Sequence, residues 1–266
     1  MSYSAMSNRP GRRLEVTIRA PRERVWWACS TLDGLSSWQA DEVSGRVEPG
    51  ASLELRWPEL ALSASVTVEE LATEDRIVFS TPTWRLTVEL TGTGIAATWC
   101  GPTSRDEEEG AASGWALSLA LLQHQLEQHW GRSRHSSWVV RPMMATSDQL
   151  HVFFTEPAAL ASWLGTPREP LDAAGRTIEL GLAWGERLTG RVLACTPNRD
   201  IAISWNEQAD AVLSFRSVPS PRAPGELLVL VNLSHWQPLK RQGATRGHLE
   251  SALQRLGRIL ERRGTS

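Results

Sequence analysis

The order of apolar and polar residues predicts the same series of strands and helices twice along the chain. Leu14, Val16 and Ile18 alternate with polar residues, which is the period-two pattern of a half-buried strand. Two short helices are predicted next, at Arg22–Ser30 and around Leu35, and short strands separated by turn-forming residues follow them. A stripe with helical spacing then predicts a long helix from about Ala111 to Gly131, formed by Trp115, Leu119, Leu122 and Leu126.

The second half of the chain repeats this order. It predicts a strand at Trp138–Met143, a helix near Asp148–Phe154 and a last helix from about Thr245 to Arg262. Residues of the first half recur 125 positions later in its N-terminal part and 134 positions later in its long helix. Matches in three blocks, in the same order and at nearly the same spacing, indicate an internal duplication. Examples are Leu35 and Leu160, Trp38 and Trp163, Ile77 and Ile201, Leu119 and Leu253, and Leu126 and Leu260.

Three local motifs resemble the helix-grip proteins of the SRPBCC or START-like superfamily, in particular the AHSA-type branch, which is named for an activator of a heat-shock-protein ATPase. An Ala-Pro step precedes the first short helix at Pro21, and Trp38 closes the second. The pair Gly114-Trp115 is similar to the start of the last helix in that branch. The second half departs from the pattern, with Thr146-Ser147 in place of Ala-Pro and Gly247-His248 in place of Gly-Trp.

The resemblance implies an α+β fold of two tandem helix-grip domains. Each would be a curved antiparallel sheet of about seven strands around a long C-terminal helix, with two short helices after the first strand. We expect a flexible tail at residues 1–11, a first domain at 12–134 and a second at 135–266. The superfamily uses the cavity between helix and sheet for lipids, polyketides, hormones and other mostly apolar ligands.

Composition excludes several classes of function. The formal net charge is −2 and the arginines are scattered among carboxylates, so we expect no nucleic-acid partner. No apolar stretch is long enough to span a membrane, and the polar N-terminus does not resemble a signal peptide, so we expect no membrane insertion. Three widely separated cysteines favour reduced, buried thiols and a cytoplasmic location over a disulfide framework.

The chain has thirteen tryptophans against one tyrosine and four phenylalanines. Tryptophan supplies a large apolar body and one N–H donor, which suits either a core or the wall of a cavity. Trp57, Trp84 and Trp99 have no aromatic match in the second half, which favours a cavity mainly in the first domain. The predicted lining residues are Trp38, Trp57, Trp84, Trp99, Trp115, Leu119, Leu122, Trp163, Trp205 and His248.

Residues for chemistry are harder to assign. His124 and His129 would point about 140° apart on an intact helix, so they could not bind one metal ion. No nucleophile elbow or phosphate-binding glycine loop occurs, and we predict no catalytic residue, metal or cofactor. His235 and His248 are polar candidates near the last strand and helix. The segment Gly101 to Ser113, with its acidic run Asp106–Glu109, is interpreted as a solvated hinge loop.

Three functions stay open. The favoured one is non-catalytic binding of a small apolar or aromatic ligand, mainly in the first domain. The alternatives are an enzyme similar to polyketide cyclases or hydrolases, and a co-chaperone-type module with a protein partner. A cavity of several hundred cubic ångströms would favour the first, and closed cores would favour the last.

Overall fold

The computed structural model describes residues 11–101, 104–239 and 242–264. The chain divides into two compact units, residues 1–134 and 135–266. Each unit contains one antiparallel sheet of seven strands and three α-helices in the part of the chain described. The predicted α+β class with two helix-grip sheets is confirmed. The predicted tail at 1–11 lies, except for Gly11, outside the described residues.

The first unit begins with an edge strand and ends with its long helix. Its elements are β1 (Arg12–Thr17), α1 (Arg22–Ser30), α2 (Leu32–Ser36), β2 (Glu42–Gly45), β3 (Ser52–Trp57), β4 (Leu62–Ala72), β5 (Arg76–Ser80), β6 (Arg85–Leu90), β7 (Gly94–Cys100) and α3 (Arg105–Gln128). The strand order is β1-β7-β6-β5-β4-β3-β2, so the first strand pairs with the last. The short strand β2 is absent from the sequence prediction, because its four residues are mostly polar and exposed.

The second unit repeats this order. Its elements are β8 (His135–Met144), α4 (Ser147–Thr155), α5 (Pro157–Ala161), β9 (Gly165–Pro167), β10 (Thr177–Leu182), β11 (Arg187–Thr196), β12 (Asp200–Trp205), β13 (Ala211–Pro219), β14 (Glu226–His235) and α6 (Gln242–Gly264). The strand order β8-β14-β13-β12-β11-β10-β9 is the same topology. Both sheets also carry a β-bulge at the same place, between Val68 and Glu70 and between Val192 and Ala194.

The long helix α3 starts earlier than the sequence predicts. Ser104 caps it: the side chain accepts a hydrogen bond from the Glu107 backbone N–H, and the Glu107 carboxylate accepts one from the Ser104 N–H. This capping box, together with acidic side chains in the first turn beside the positive end of the helix dipole, makes Arg105 to Ser113 helical. The prediction of a loop and hinge at Gly101 to Ser113 was therefore wrong beyond Ser104, and Asp106–Glu109 belongs to the helix.

The tryptophan that follows the second short helix has the same contacts in both units. The indole N–H of Trp38 donates to the Ala28 carbonyl at 3.0 Å, and that of Trp163 donates to the Phe153 carbonyl at 2.8 Å. An arginine then donates to the carbonyl oxygen of each tryptophan, Arg134 in the first unit and Arg255 in the second. Each tryptophan thus joins the second short helix to the first. The arginine that contacts its carbonyl comes from a different part of each unit.

One buried amide in α3 has no counterpart in the repeat. Gln125 is fully buried, and neither its Oε1 nor its Nε2 has a hydrogen-bond partner among the described residues. The leucines of the two long helices align Gln125 with Ile259 of α6. A buried polar group without a partner loses its hydration and gains nothing in exchange.

We therefore expect Gln125→Met, which keeps the length of the side chain, to raise the free energy of unfolding of the first unit by about 1–3 kcal/mol. Chemical denaturation monitored by tryptophan fluorescence measures this change. Gln123→Met is the matched control, because the Gln123 amide donates to Glu127 in a partly exposed position, and it should change stability by less than about 0.5 kcal/mol. A lower free energy of unfolding for Gln125→Met would show instead that the Gln125 amide has hydrogen-bond partners in the folded protein.

Candidate functional site

The first unit has a cavity between the sheet and the first half of α3. Its walls are side chains of the sheet, the segment after α2 and the helix: Leu35, Trp38, Gln39, Leu53, Leu55, Val66, Phe79, Trp84, Leu86 and Trp115. Nine of these ten residues are aliphatic or aromatic, and the remaining one is Gln39. The cavity volume is about 20 Å³, which is room for one water molecule.

Three of the predicted lining residues, Trp38, Trp84 and Trp115, are brought together in this cavity. Four others of the first unit are not among its walls. Trp57 is half-buried at the end of β3, and Trp99 is buried on β7, directly across the ladder from the lining residue Leu86. Leu119 and Leu122 are fully buried core residues of α3.

Trp84 and Trp115 contact each other in the wall of the cavity. Their ring centroids are 6.4 Å apart at an interplanar angle of 71°, an edge-to-face contact. The backbone of Trp84 is held on two sides. Its N–H donates to the Thr81 hydroxyl at 3.2 Å, and Gly101, at φ +133°, lies so close that a Cβ there would be 2.6 Å from the Trp84 Cα. These contacts fix the backbone from which the Trp84 side chain projects into the wall.

Gln39 is the polar exception in the wall. Its Oε1 is buried and has no hydrogen-bond partner among the described residues. Its backbone is anchored, because the Gln39 N–H donates to the Leu35 carbonyl at 2.9 Å. In the second unit Leu164 makes the same backbone bond, to the Leu160 carbonyl at 2.9 Å, and is fully buried in the core. Gln39 was not among the residues predicted to line the cavity, although its alignment with the apolar Leu164 could have identified it.

The second unit has a buried tryptophan, Trp205, at the equivalent hairpin. This side chain is fully buried in the core, and its indole N–H donates to the Arg187 carbonyl at 3.0 Å. The two equivalent hairpins each have one tryptophan and one small residue, in exchanged positions. Thr81 of the first unit corresponds to Trp205 of the second, and Trp84 of the first unit corresponds to Ala211 of the second. One tryptophan therefore belongs to this hairpin in each unit, in the cavity wall in the first unit and in the core in the second.

The other predicted residues of the second unit are also explained by packing. Trp163 lies in the core, edge-to-face with Phe215 at 5.4 Å. His248 stacks on Trp184 with ring centroids 5.1 Å apart. Both long helices are unbroken, so the 134-residue offset of their leucines aligns Trp115 with the core residue Leu249. The sequence alignment of His248 with Trp115 was therefore wrong by one residue.

The prediction for the histidines of α3 needs a correction. His124 and His129 do not point apart: their ring centroids are 5.1 Å apart. The helix ends at Gln128, and His129 leaves the helical path, so the rotation of 100° per residue does not apply to it. Among residues 11–101, 104–239 and 242–264, no group of three or more potential ligands could hold a metal ion.

His235, the other histidine candidate, lies at the end of β14. It is 3% exposed, its Nδ1 is 2.8 Å from the Gln237 carbonyl oxygen, and its ring stacks on that of its cross-strand partner His135 at 5.4 Å. Burial lowers the pKa of His235, and repulsion from His135 adds to that effect. His235 therefore belongs to strand pairing in the second unit and is not among the residues that line the cavity.

These features define the class of the first unit as a helix-grip module with an apolar cavity under its long helix. Residues 19–127 match the sequence profile of the family described as Activator of Hsp90 ATPase homolog 1-like protein. No curated protein matches the chain. In the described parts of the chain, no helix is long and apolar enough to cross a membrane.

Three solved structures illustrate the likeness. A protein of Mesorhizobium loti is 22% identical, with 48% of this chain and 98% of that chain covered and a TM-score of 0.42. DynU16, from the dynemicin biosynthetic locus, is 18% identical, with 93% of this chain and 98% of that chain covered and a TM-score of 0.41. CalU16 from Micromonospora echinospora is 20% identical, with coverage of 48% and 74% and a TM-score of 0.38.

The lowered pKa of His235 predicts acid sensitivity. Below the ordinary histidine value of 6.5 the unfolded chain binds a proton that folded His235 does not. The free energy of unfolding should therefore be highest above pH 6.5 and should fall as the pH drops towards the lowered pKa. His235→Asn keeps an N–H near the Nδ1 position and should make this fall shallower between pH 7.5 and 5.5 in urea denaturation. Equal slopes for variant and wild type would contradict the assignment.

Proposed function

We propose that the first unit binds a small apolar or aromatic molecule in the cavity beneath α3 and catalyses no reaction on it. The observation that carries this proposal is the aromatic-lined cavity of the first unit, at a hairpin whose equivalent in the second unit carries the buried core residue Trp205.

The small volume of the cavity is compatible with binding if Trp84 rotates outward. An edge-to-face aromatic pair contributes about 0.5–1.5 kcal/mol beyond the area it buries. A ligand that buries about 100 Å² of apolar surface gains about 2.5 kcal/mol, at 25 cal/mol per Å². The ligand would thus replace the contact between Trp84 and Trp115 with contacts of its own, and it must bury enough apolar surface to offset the cost of association as well.

An enzyme of the cyclase or hydrolase kind has less support at this cavity. Its ten lining residues include no carboxylate, imidazole or thiol. An acid–base step needs such a group within hydrogen-bond reach of the substrate, so it would have to come from outside this lining.

A co-chaperone-type interaction module is the second candidate. Two observations favour it. Residues 19–127 match the family described as Activator of Hsp90 ATPase homolog 1-like protein. The volume of the cavity is far below the several hundred cubic ångströms of typical ligand pockets. The test is the ATPase rate of a purified Hsp90-type chaperone with and without this protein. An increase that saturates with protein concentration would support it.

We further propose that residues 12–134 and 135–266 are separate domains and that the second is a helix-grip copy kept as a scaffold. The matching strand orders and the matching tryptophan anchors support this. The three cysteines are free thiols in the described chain, in line with the cytoplasmic compartment that we expect.

Native mass spectrometry of protein purified from its own host, compared with the denatured mass, tests the binding proposal. We expect an adduct of a few hundred daltons. The double variant Thr81→Trp with Trp84→Ala transfers the arrangement of Trp205 and Ala211 to the first unit and should lose at least about 90% of the adduct, because the indole fills the cavity. Trp205→Phe is the matched change in the second unit and should retain it.

Equal loss of the adduct from both variants would contradict a site confined to the first unit. If the wild-type protein carries no adduct and its tryptophan fluorescence does not respond to a panel of lipids and polyketides, the proposal of ligand binding fails and the interaction module takes its place.

A further inference from the structure

We infer that Gln39 selects the ligand, and that its Oε1 accepts a hydrogen bond from a hydroxyl or N–H group carried by an aromatic ring. This inference rests on the proposed binding function and adds the chemistry of the molecule bound. It follows from the position of Gln39, from the state of its carbonyl oxygen and from the residue that replaces it in the repeat.

Gln39 projects from a fixed backbone. The preceding residue, Trp38, is held at both ends: its indole N–H donates to the Ala28 carbonyl, and its own carbonyl accepts from Arg134 at 3.3 Å. Arg134 is itself held by Asp41 at 3.2 Å, and its guanidinium is buried. A polar group presented from such a backbone is pre-organised, so little conformational entropy is lost when a ligand binds to it.

The side-chain carbonyl oxygen of Gln39 lacks a hydrogen-bond partner. Oε1 is buried and has no partner among the described residues, and Gln39 lines the cavity together with nine aliphatic or aromatic residues. Buried side-chain oxygens in proteins nearly always accept a hydrogen bond, and the exceptions call for an explanation. A donor on a bound molecule supplies the missing bond.

The fold does not require an amide here. Leu164 occupies the equivalent position in the second unit, after the equivalent tryptophan and with the same backbone hydrogen bond. It packs in the hydrophobic core of that unit. The amide therefore lines the cavity of the first unit, and the equivalent residue of the second unit is an apolar core residue.

These properties define the ligand class. The aromatic side chains of Trp84, Trp115 and Phe79 in the wall can contact a planar ring, and Oε1 requires a donor. The ten lining residues carry no formal charge, which favours a neutral molecule. A phenol, an enol or an aromatic N–H compound meets these requirements, whereas an ether or a hydrocarbon of the same shape does not.

The probes p-cresol and p-xylene test the inference, because they have the same shape and differ by a hydroxyl in place of a methyl group. Their dissociation constants are measured by following the tryptophan indole N–H signals of the full chain in NMR titrations. The variants are Gln39→Leu, which recreates Leu164, and Gln39→Met, which retains the length of glutamine. Thermal unfolding checks that each variant is folded.

We expect wild-type protein to prefer p-cresol and both variants to lower the preference for p-cresol over p-xylene at least about tenfold. If p-xylene binds more tightly throughout and neither variant changes the ratio, Gln39 does not select the ligand, although the binding function stands. If neither probe shifts the signals of wild-type protein at millimolar concentration, both the binding function and this inference fail. If a variant does not fold, the inference is decided by the ratio of the dissociation constants of p-cresol and p-xylene for wild-type protein.

Discussion

The arrangement of each unit depends on the hydrogen bonds of one tryptophan. Trp38 and Trp163 each join the second short helix to the first through the indole N–H, and each offers its carbonyl to an arginine. A buried N–H without a partner would destabilise the unit, so this geometry admits little variation. The residue that follows the tryptophan is consequently held at one place beneath the long helix. Its identity, Gln39 or Leu164, can change without disturbing the fold.

The two units place a large aromatic side chain on opposite sides of the same hairpin. Thr81 and Trp84 in the first unit correspond to Trp205 and Ala211 in the second. Each hairpin has one tryptophan, and only its position relative to the turn differs. Trp205 packs in the core of the second unit, whereas Trp84 lines the cavity of the first. The same topology therefore accommodates two different packings at this hairpin.

Much of the fold could be predicted from the sequence, because the alternation of residues such as Leu14, Val16 and Ile18 and the leucine stripe of the long helix report directly on burial. The errors arose where local signals compete. The glycines and acidic residues before Trp115 suggested a loop, but the Ser104 capping box makes them helical. The cavity was harder, because the correspondence of Trp84 with Ala211 depends on cross-strand pairing that a linear alignment does not display. Gln39 was missed because a single amide carries no periodic signal, and only its alignment with Leu164 distinguishes it.

Gly101 constrains the cavity wall of the first unit without contributing a side chain to it. Its positive φ and its approach to the backbone of Trp84 leave no space for a Cβ. Any larger residue there would require the backbone of Thr83 and Trp84, or that of residue 101 itself, to shift. The position of one aromatic side chain in the wall thus depends on a backbone contact outside it. Substitution at this one position would alter the wall while every lining residue stays the same.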